Sequence, residues 1–208
     1  MPRPRGLLSD EARSRITSAI AALEQRSAAE VVVAVHPRSG RYRQAEWALS
    51  VSLAVTWLLL FLYHPVSFDF TWLPLELVAV GLVGLALARG HRSLKRALVL
   101  SRTLAREVDR SAKEAFVDLG ISRTRARTGV LVFVSLLEGQ ARVLSDIGVP
   151  KLALPALLTS KLQEAARRND VNGLVDALRS LEPSLARELP RAADDENELA
   201  DGPVQVKS

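Results

Sequence analysis

Between Trp47 and Ala88 the chain runs for 42 residues with only two formal charges, Asp69 and Glu76, although the whole carries 28 Lys and Arg and 23 Asp and Glu. No ordinary water-soluble domain segregates its charge in this way. Within the stretch, Trp47 to Phe68 is an uncharged run of 22 residues. As a helix it is roughly 33 Å long, enough to cross the hydrocarbon core of a bilayer. Trp47 and Tyr63 stand near its ends, where amphipathic rings favour the headgroup level. A second run of 19 residues, Phe70 to Ala88, contains one charge, Glu76. Pro74 suits the first turn of a helix, and Glu76 then sits near the outer interface and the positive helix end, where its charge costs least. The expectation is a two-helix transmembrane hairpin over residues 47–88, with helices at about 47–64 and 72–89.

The first run begins too late, and after too structured a segment, to be a secretory leader. Orientation follows from the basic residues near the spans. Arg38, Arg41 and Arg43 precede the first; Arg89, Arg92, Lys95, Arg96, Arg102 and Arg106 follow the second; His64 to Thr71 between them has no Lys or Arg. Both flanks are therefore expected in the cytoplasm, under the inner membrane. Gly84 and Ala88, four apart, offer small residues for a close helix–helix approach.

The flanks read as two parts of one α/β domain, residues 1–46 and 89–190. Ser9 is placed to cap a helix whose first turn holds Asp10 and Glu11, and Ala12, Ile16, Ala19, Ile20 and Leu23 line one face. Glu30 to His36 is a continuous β-branched run, the pattern of a strand buried on both faces. One helix cannot bury such a strand, so it must pair with strands encoded after the hairpin. Leu104, Val108, Ala112, Ala115, Phe116 and Leu119 line a helix that Gly120 stops, with Ile121 packing back. With no proline between Pro74 and Pro150, that helix is free to continue from the second span. Val130 to Leu136 is a second buried strand, Glu138-Gly139 a turn, and Gln140 to Leu144 an alternating strand completing a β-hairpin. Helices follow over Pro155 to Arg168, after Asp170, and in a short turn bearing Leu185 and Leu189 beyond Pro183. Residues 191–208 form an acidic tail expected to be mobile.

Gly120-Ile121, the series Arg127-Thr-Gly-Val-Leu-Val-Phe-Val-Ser-Leu136 and the run Val143-Leu-Ser-Asp-Ile-Gly-Val149 together resemble the TPM domain family, named for photosystem II repair and related bacterial membrane proteins. Leu189-Pro190 followed by Asp194-Asp-Glu-Asn-Glu-Leu199 is similar to the C-terminus of its membrane-inserted bacterial members. The resemblance covers roughly Leu8 to His36 and Ser101 to Leu199. It implies a three-layer α/β sandwich, a small mixed sheet of about four strands flanked by helices. Members of the family are linked to phosphatase activity, to calcium binding and to membrane-protein maintenance. Its acidic site maps onto Asp146.

The residues themselves narrow the chemistry. No cysteine is present, which excludes disulfide scaffolds and cysteine-ligated zinc or iron–sulfur centres. His36, His64 and His91 fall in three different environments, so they do not form a shared metal site. No Gly-x-Ser-x-Gly elbow, phosphate loop or dinucleotide fingerprint occurs. Asp146 and Glu138 bracket the β-hairpin and Asp118 ends a neighbouring helix. They are candidate oxygen ligands of a kind that suits calcium or magnesium, or else turn acids with a structural role. The basic segment Arg123 to Arg127, with Arg89 to Arg106, faces anionic lipid headgroups in this reading. That location accounts for the net charge of +5, and the basic stretches lack aromatics, so nucleic acid is not an expected partner. The expected partners are lipid headgroups and a membrane protein, with self-association left open. The function expected is a binding or scaffold role in membrane or envelope protein maintenance; the alternative is a metal-dependent phosphatase of the TPM family.

Overall fold

The computed structural model describes residues 6–64, 70–151, 154, 157–191 and 204. The chain divides into two compact units, one made of residues 1–39 and 105–208 and the other of residues 40–104.

The first unit is a mixed α/β structure. It opens on α1 (Asp10–Glu24), where the Ser9 hydroxyl caps the amide of Ala12 at 3.2 Å, and continues into β1 (Glu30–His36). After the second unit come the rest of α5 (Ser101–Asp118), a single tight turn at Ile121–Arg123, β2 (Gly129–Ser135) and β3 (Gln140–Ser145). The helices α6 (Leu158–Arg168), α7 (Val171–Arg179) and α8 (Glu182–Glu188) close it. The helix expected from Pro155 starts at Leu158, and Pro155 itself lies outside the described residues.

The three strands lie in the order β1-β2-β3. Strand β1 pairs with β2 in parallel, Val33 opposite Val132, so the strand written before the apolar insert finds its partner after it. Strand β2 pairs with β3 antiparallel, Phe133 opposite Arg142. The resemblance implied about four strands; among the described residues the sheet has three, and on the outer edge of β1 a parallel bridge joins Ala34 to Val204.

Because side chains alternate along a strand, the two faces of this sheet carry separate apolar sets. Val31, Val33, Val35, Val130, Val132 and Val134 pack with α1, α6 and α7 through Ile16, Leu162 and Leu174. Val32, Ala34, Leu131 and Phe133 pack with Val108, Ala112 and Ala115 of α5. Each fully buried aliphatic or aromatic side chain contributes about 1.5–3 kcal/mol, so a strand buried on both faces is strongly anchored for its length.

The second unit holds α2 (Arg43–Tyr63), α3 (Leu73–Gly90) and the short α4 (Arg92–Leu98). Helix α2 and helix α3 have mean hydropathies of 1.8 and 1.7 and are long and apolar enough to cross a membrane; only 11% of the most apolar window of each is buried. Their contacts run in opposite order along the two axes, which makes them antiparallel. Arg89 pairs with Glu46 at 3.4 Å, Ser50 Oγ donates to the Gly81 carbonyl at 2.7 Å, and Trp57 Nε1 donates to Glu76 Oε2 at 3.1 Å. At the far end Phe61 and Phe70 meet edge to face, 5.2 Å between centroids. Glu76 thus keeps a hydrogen-bond donor inside an apolar helix. The helix after the second apolar run does not continue from it: α3 ends at Gly90, His91 is extended (φ −115°, ψ 107°), and α4 and α5 follow as separate helices. Glycine adds a poor helix former at that point, and the His91 amide closes α3 by donating to the Leu87 carbonyl.

Candidate functional site

In open α/β sheets with parallel strands, ligand and catalytic groups gather outside the carboxyl ends of those strands. Here the parallel pair β1 and β2 ends in His36 and Ser135, which lie opposite each other in the register and on the same face as Phe133. The His36 ring sits 4.6 Å from the Phe133 ring. Just beyond the strands, Glu138 and Ser39 complete a polar cluster. Ser135 Oγ donates to Glu138 Oε2, Ser39 Oγ donates to Ser135 Oγ at 2.8 Å, and the Ser39 amide donates to Glu138 Oε1 at 2.9 Å. From α5, Ser111 Oγ donates to the Ser39 carbonyl at 3.1 Å. Ser135, Glu138 and His36 are all buried.

Two features decide what this cluster can do. First, the carboxylate and both hydroxyls are engaged with one another and with the backbone. The cluster fixes the chain where it leaves β1, and the amides of Leu136 and Leu137 add bonds to the carbonyls of His36 and Pro37. Second, His36 Nε2 is buried with no hydrogen-bond partner among the described residues. Burial pushes the imidazole below its ordinary value, with the Glu138 carboxylate pulling in the opposite direction. Among the described residues Ser135 thus bonds a carboxylate rather than the histidine.

The sequence candidates fall at two separate places. Glu138 belongs to the cluster just described. Asp146 lies at the other end of β3, about 20 Å of strand away. There its amide donates to the Gly129 carbonyl, its Oδ1 accepts from the Ile147 amide at 2.7 Å, and its Oδ2 faces Arg127 Nη1 at 3.4 Å. Arg127 holds a left-handed backbone (φ 58°) that turns its side chain back onto both Asp146 and the Ser122 carbonyl. Gly148 is required beside it, because a Cβ there would stand 2.4 Å from the Ala126 carbonyl oxygen. Asp146 is thus the acceptor that closes the loop around β3. Asp118 ends α5. Among the described residues no three His, Asp or Glu side chains stand together as a metal cage.

Sequence reasoning missed Ser39, Ser111 and Ser135 as partners of Glu138. Each is a lone serine in an unremarkable context, and only the register of β1 on β2 brings them together. A groove of about 300 Å³ between α6 and α7, lined by Lys161, Glu164, Arg168, Asp170 and Asp176, also went unseen. Its charges are mixed, and Arg168 is already paired with Glu164 at 2.6 Å.

No protein-family model matches the chain, and no curated protein does. Among solved structures, its fold is similar to the NMR structure of the BA42 protein from the psychrophilic bacterium Bizionia argentinensis, with a TM-score of 0.57 at 16% identity over 99% of this chain and 100% of that one. At that identity the likeness concerns the fold alone.

Proposed function

We propose that this protein is an integral component of the bacterial inner membrane, anchored by α2 and α3 as a transmembrane hairpin. Its flanks form a TPM-like three-layer domain on the cytoplasmic side, a binding or scaffold module in the maintenance of membrane or envelope proteins. The observation that carries the reading is the apolar surface of α2 and α3. Val51, Leu59, Leu60, Leu62, Val78 and Leu82 are all about half exposed or more, an arrangement that water penalises and lipid does not. Nine Lys and Arg flank the pair and none lies between the helices, which supports cytoplasmic ends and contact with anionic headgroups. A metal-dependent phosphatase would need carboxylates converging on one ion, and Glu138 and Asp146 sit at opposite ends of β3.

Topology reporters fused after residues 40, 67 and 110 should read inside, outside and inside. An outside reading at 110, or release of the protein from membranes by alkaline carbonate, would overturn the proposal. Isolation of the complex in mild detergent should then retain a membrane-protein partner.

A further inference from the structure

Among the described residues the outer edge of β1 carries no neighbouring strand of the sheet, yet three of its backbone groups are occupied. Near the start of the edge, the Val31 amide donates to Glu24 Oε1 at 3.1 Å, so α1 caps it with a side chain. Further along, Val204 takes the place of a strand: its amide donates to the Val33 carbonyl at 3.0 Å and its carbonyl accepts from the Val35 amide at 3.2 Å. Such a two-bond bridge is one rung of a parallel ladder, and its side chain packs onto the α5-side cluster of Val32, Ala34 and Phe133. From these observations we propose that the free edge of β1 is a strand-docking site for an extended apolar peptide running parallel to it, kept occupied in cis by the chain's own C-terminal segment at Val204.

The path of the chain favours this occupant. Pro190 bridges Ser27, and the Ala28 amide donates to the Leu189 carbonyl, so the chain leaves α8 beside the start of β1. Fourteen peptide units separate Pro190 from Val204. Fully extended, they reach at most about 50 Å, whereas seven residues of β1 cover about 23 Å. That length is more than enough to join Pro190 to Val204, and Pro190 lies at the end of β1 where a parallel strand must begin. A tethered occupant competes at an effective concentration on the order of millimolar, which keeps loose peptides off the same edge. Recognition of this kind takes its affinity from main-chain bonds and its selectivity from the pocket for the inward side chain, here a small β-branched one. An unoccupied edge of this sort is otherwise a template for association.

The chain contains no cysteine, which gives a clean test in the full-length protein in detergent. Neighbouring strands are about 4.8 Å apart, within the range a disulfide spans. The double variant Ala34→Cys, Val204→Cys should lose both thiols on mild oxidation and migrate as a monomer. A covalent dimer would assign the occupant to a second copy, and free thiols would show the edge unoccupied; either result overturns the proposal. A second arm holds if the buried Ala34→Cys prevents folding. In full-length Val204→Pro the amide that bonds Val33 is gone. A fluorescent peptide of residues 200–208 should then bind saturably, at least about tenfold more tightly than to the native chain. Equal binding to both proteins, or none to the variant, would overturn it. Both readouts lie in the sheet and stand apart from the membrane topology of α2 and α3.

Discussion

The backbone amide of Ser39 donates to Oε1 of Glu138 at 2.9 Å across 99 residues of sequence. Ser39 also donates through its hydroxyl to Ser135 and accepts at its carbonyl from Ser111. All three of its polar groups are thus held by residues encoded after the apolar insert, and Glu138 is the acceptor that organises them.

Glu138→Ala should therefore destabilise the protein more than its small size suggests. It strips the acceptor from Ser39 and Ser135, and each buried group left unmade costs about 1–3 kcal/mol. A chain of this length loses about 2–4 °C of melting midpoint per kcal/mol, so thermal unfolding in detergent should fall by several degrees. Glu138→Gln, which keeps one carbonyl oxygen, should lose less. A midpoint for Glu138→Ala equal to that of the parent would rule out the clamp.

Stability should weaken on the acid side because of His36. Its folded-state pKa lies below the unfolded value near 6.5, chiefly through burial. The unfolded chain then binds the proton first as pH falls. The contribution is fully present above about 6.5 and declines below it until the folded state also titrates. His36→Phe removes both the proton and the unpartnered nitrogen, so its melting curve should vary less between neutral pH and the folded-state titration than the parent's. Parallel pH profiles for the two proteins would contradict this.

Two glycines of α3 should respond differently to alanine. A Cβ at Gly84 would stand 2.9 Å from the Ser50 Cα and 3.0 Å from Leu53 Cδ1, forcing α2 and α3 apart; at Gly81 the nearest atom is Ser50 Oγ at 3.4 Å. Packing methyl groups where none fits costs about 1–3 kcal/mol. Gly84→Ala should lower the melting midpoint, and Gly81→Ala should leave it nearly unchanged. If both are silent, the close approach of the two helices at Ser50 is wrong.

Calcium or magnesium at millimolar concentration should leave the melting midpoint where it is, in the parent and in Asp146→Asn alike. The Asp146 carboxylate is committed to the Ile147 amide and to Arg127, far along β3 from Glu138. A specific ion bound to the native state would raise the midpoint in proportion to the logarithm of its concentration, which differential scanning reads directly.

Strands β1 and β2 were legible because their apolar, valine-rich residues run without interruption, a pattern that burial on both faces sustains. Their pairing across the insert followed from the lack of any other partner for β1. The cap at Ser9 was legible from residue type. Register was not, because period-two alternation is unchanged by sliding a strand two residues. Without register, His36 and Ser135 could not be placed opposite each other, and Glu138 stood out only as a turn acid. Asp146 drew attention for its neighbours in sequence, whereas its role depends on Arg127 adopting a left-handed backbone that no glycine announces. The helix break at His91 was hidden by the absence of proline. Of the acidic tail, only Arg191 and Val204 fall among the described residues, so the expected mobility of residues 191–208 lies outside them, and Val204 bridges Ala34.

The pairing of Val33 with Val132 also has a cost in time. A ribosome adds about 5–20 residues per second, so β1 emerges some five to twenty seconds before the strand that will cover its inner edge. Through that interval Glu30 to His36, with four valines in seven residues, has α1 beside it and no sheet to join. Delay in synthesising α2 and α3 would lengthen it. Production of this protein should therefore be limited by aggregation of the nascent chain before residue 129 is made, rather than by the stability of the finished fold.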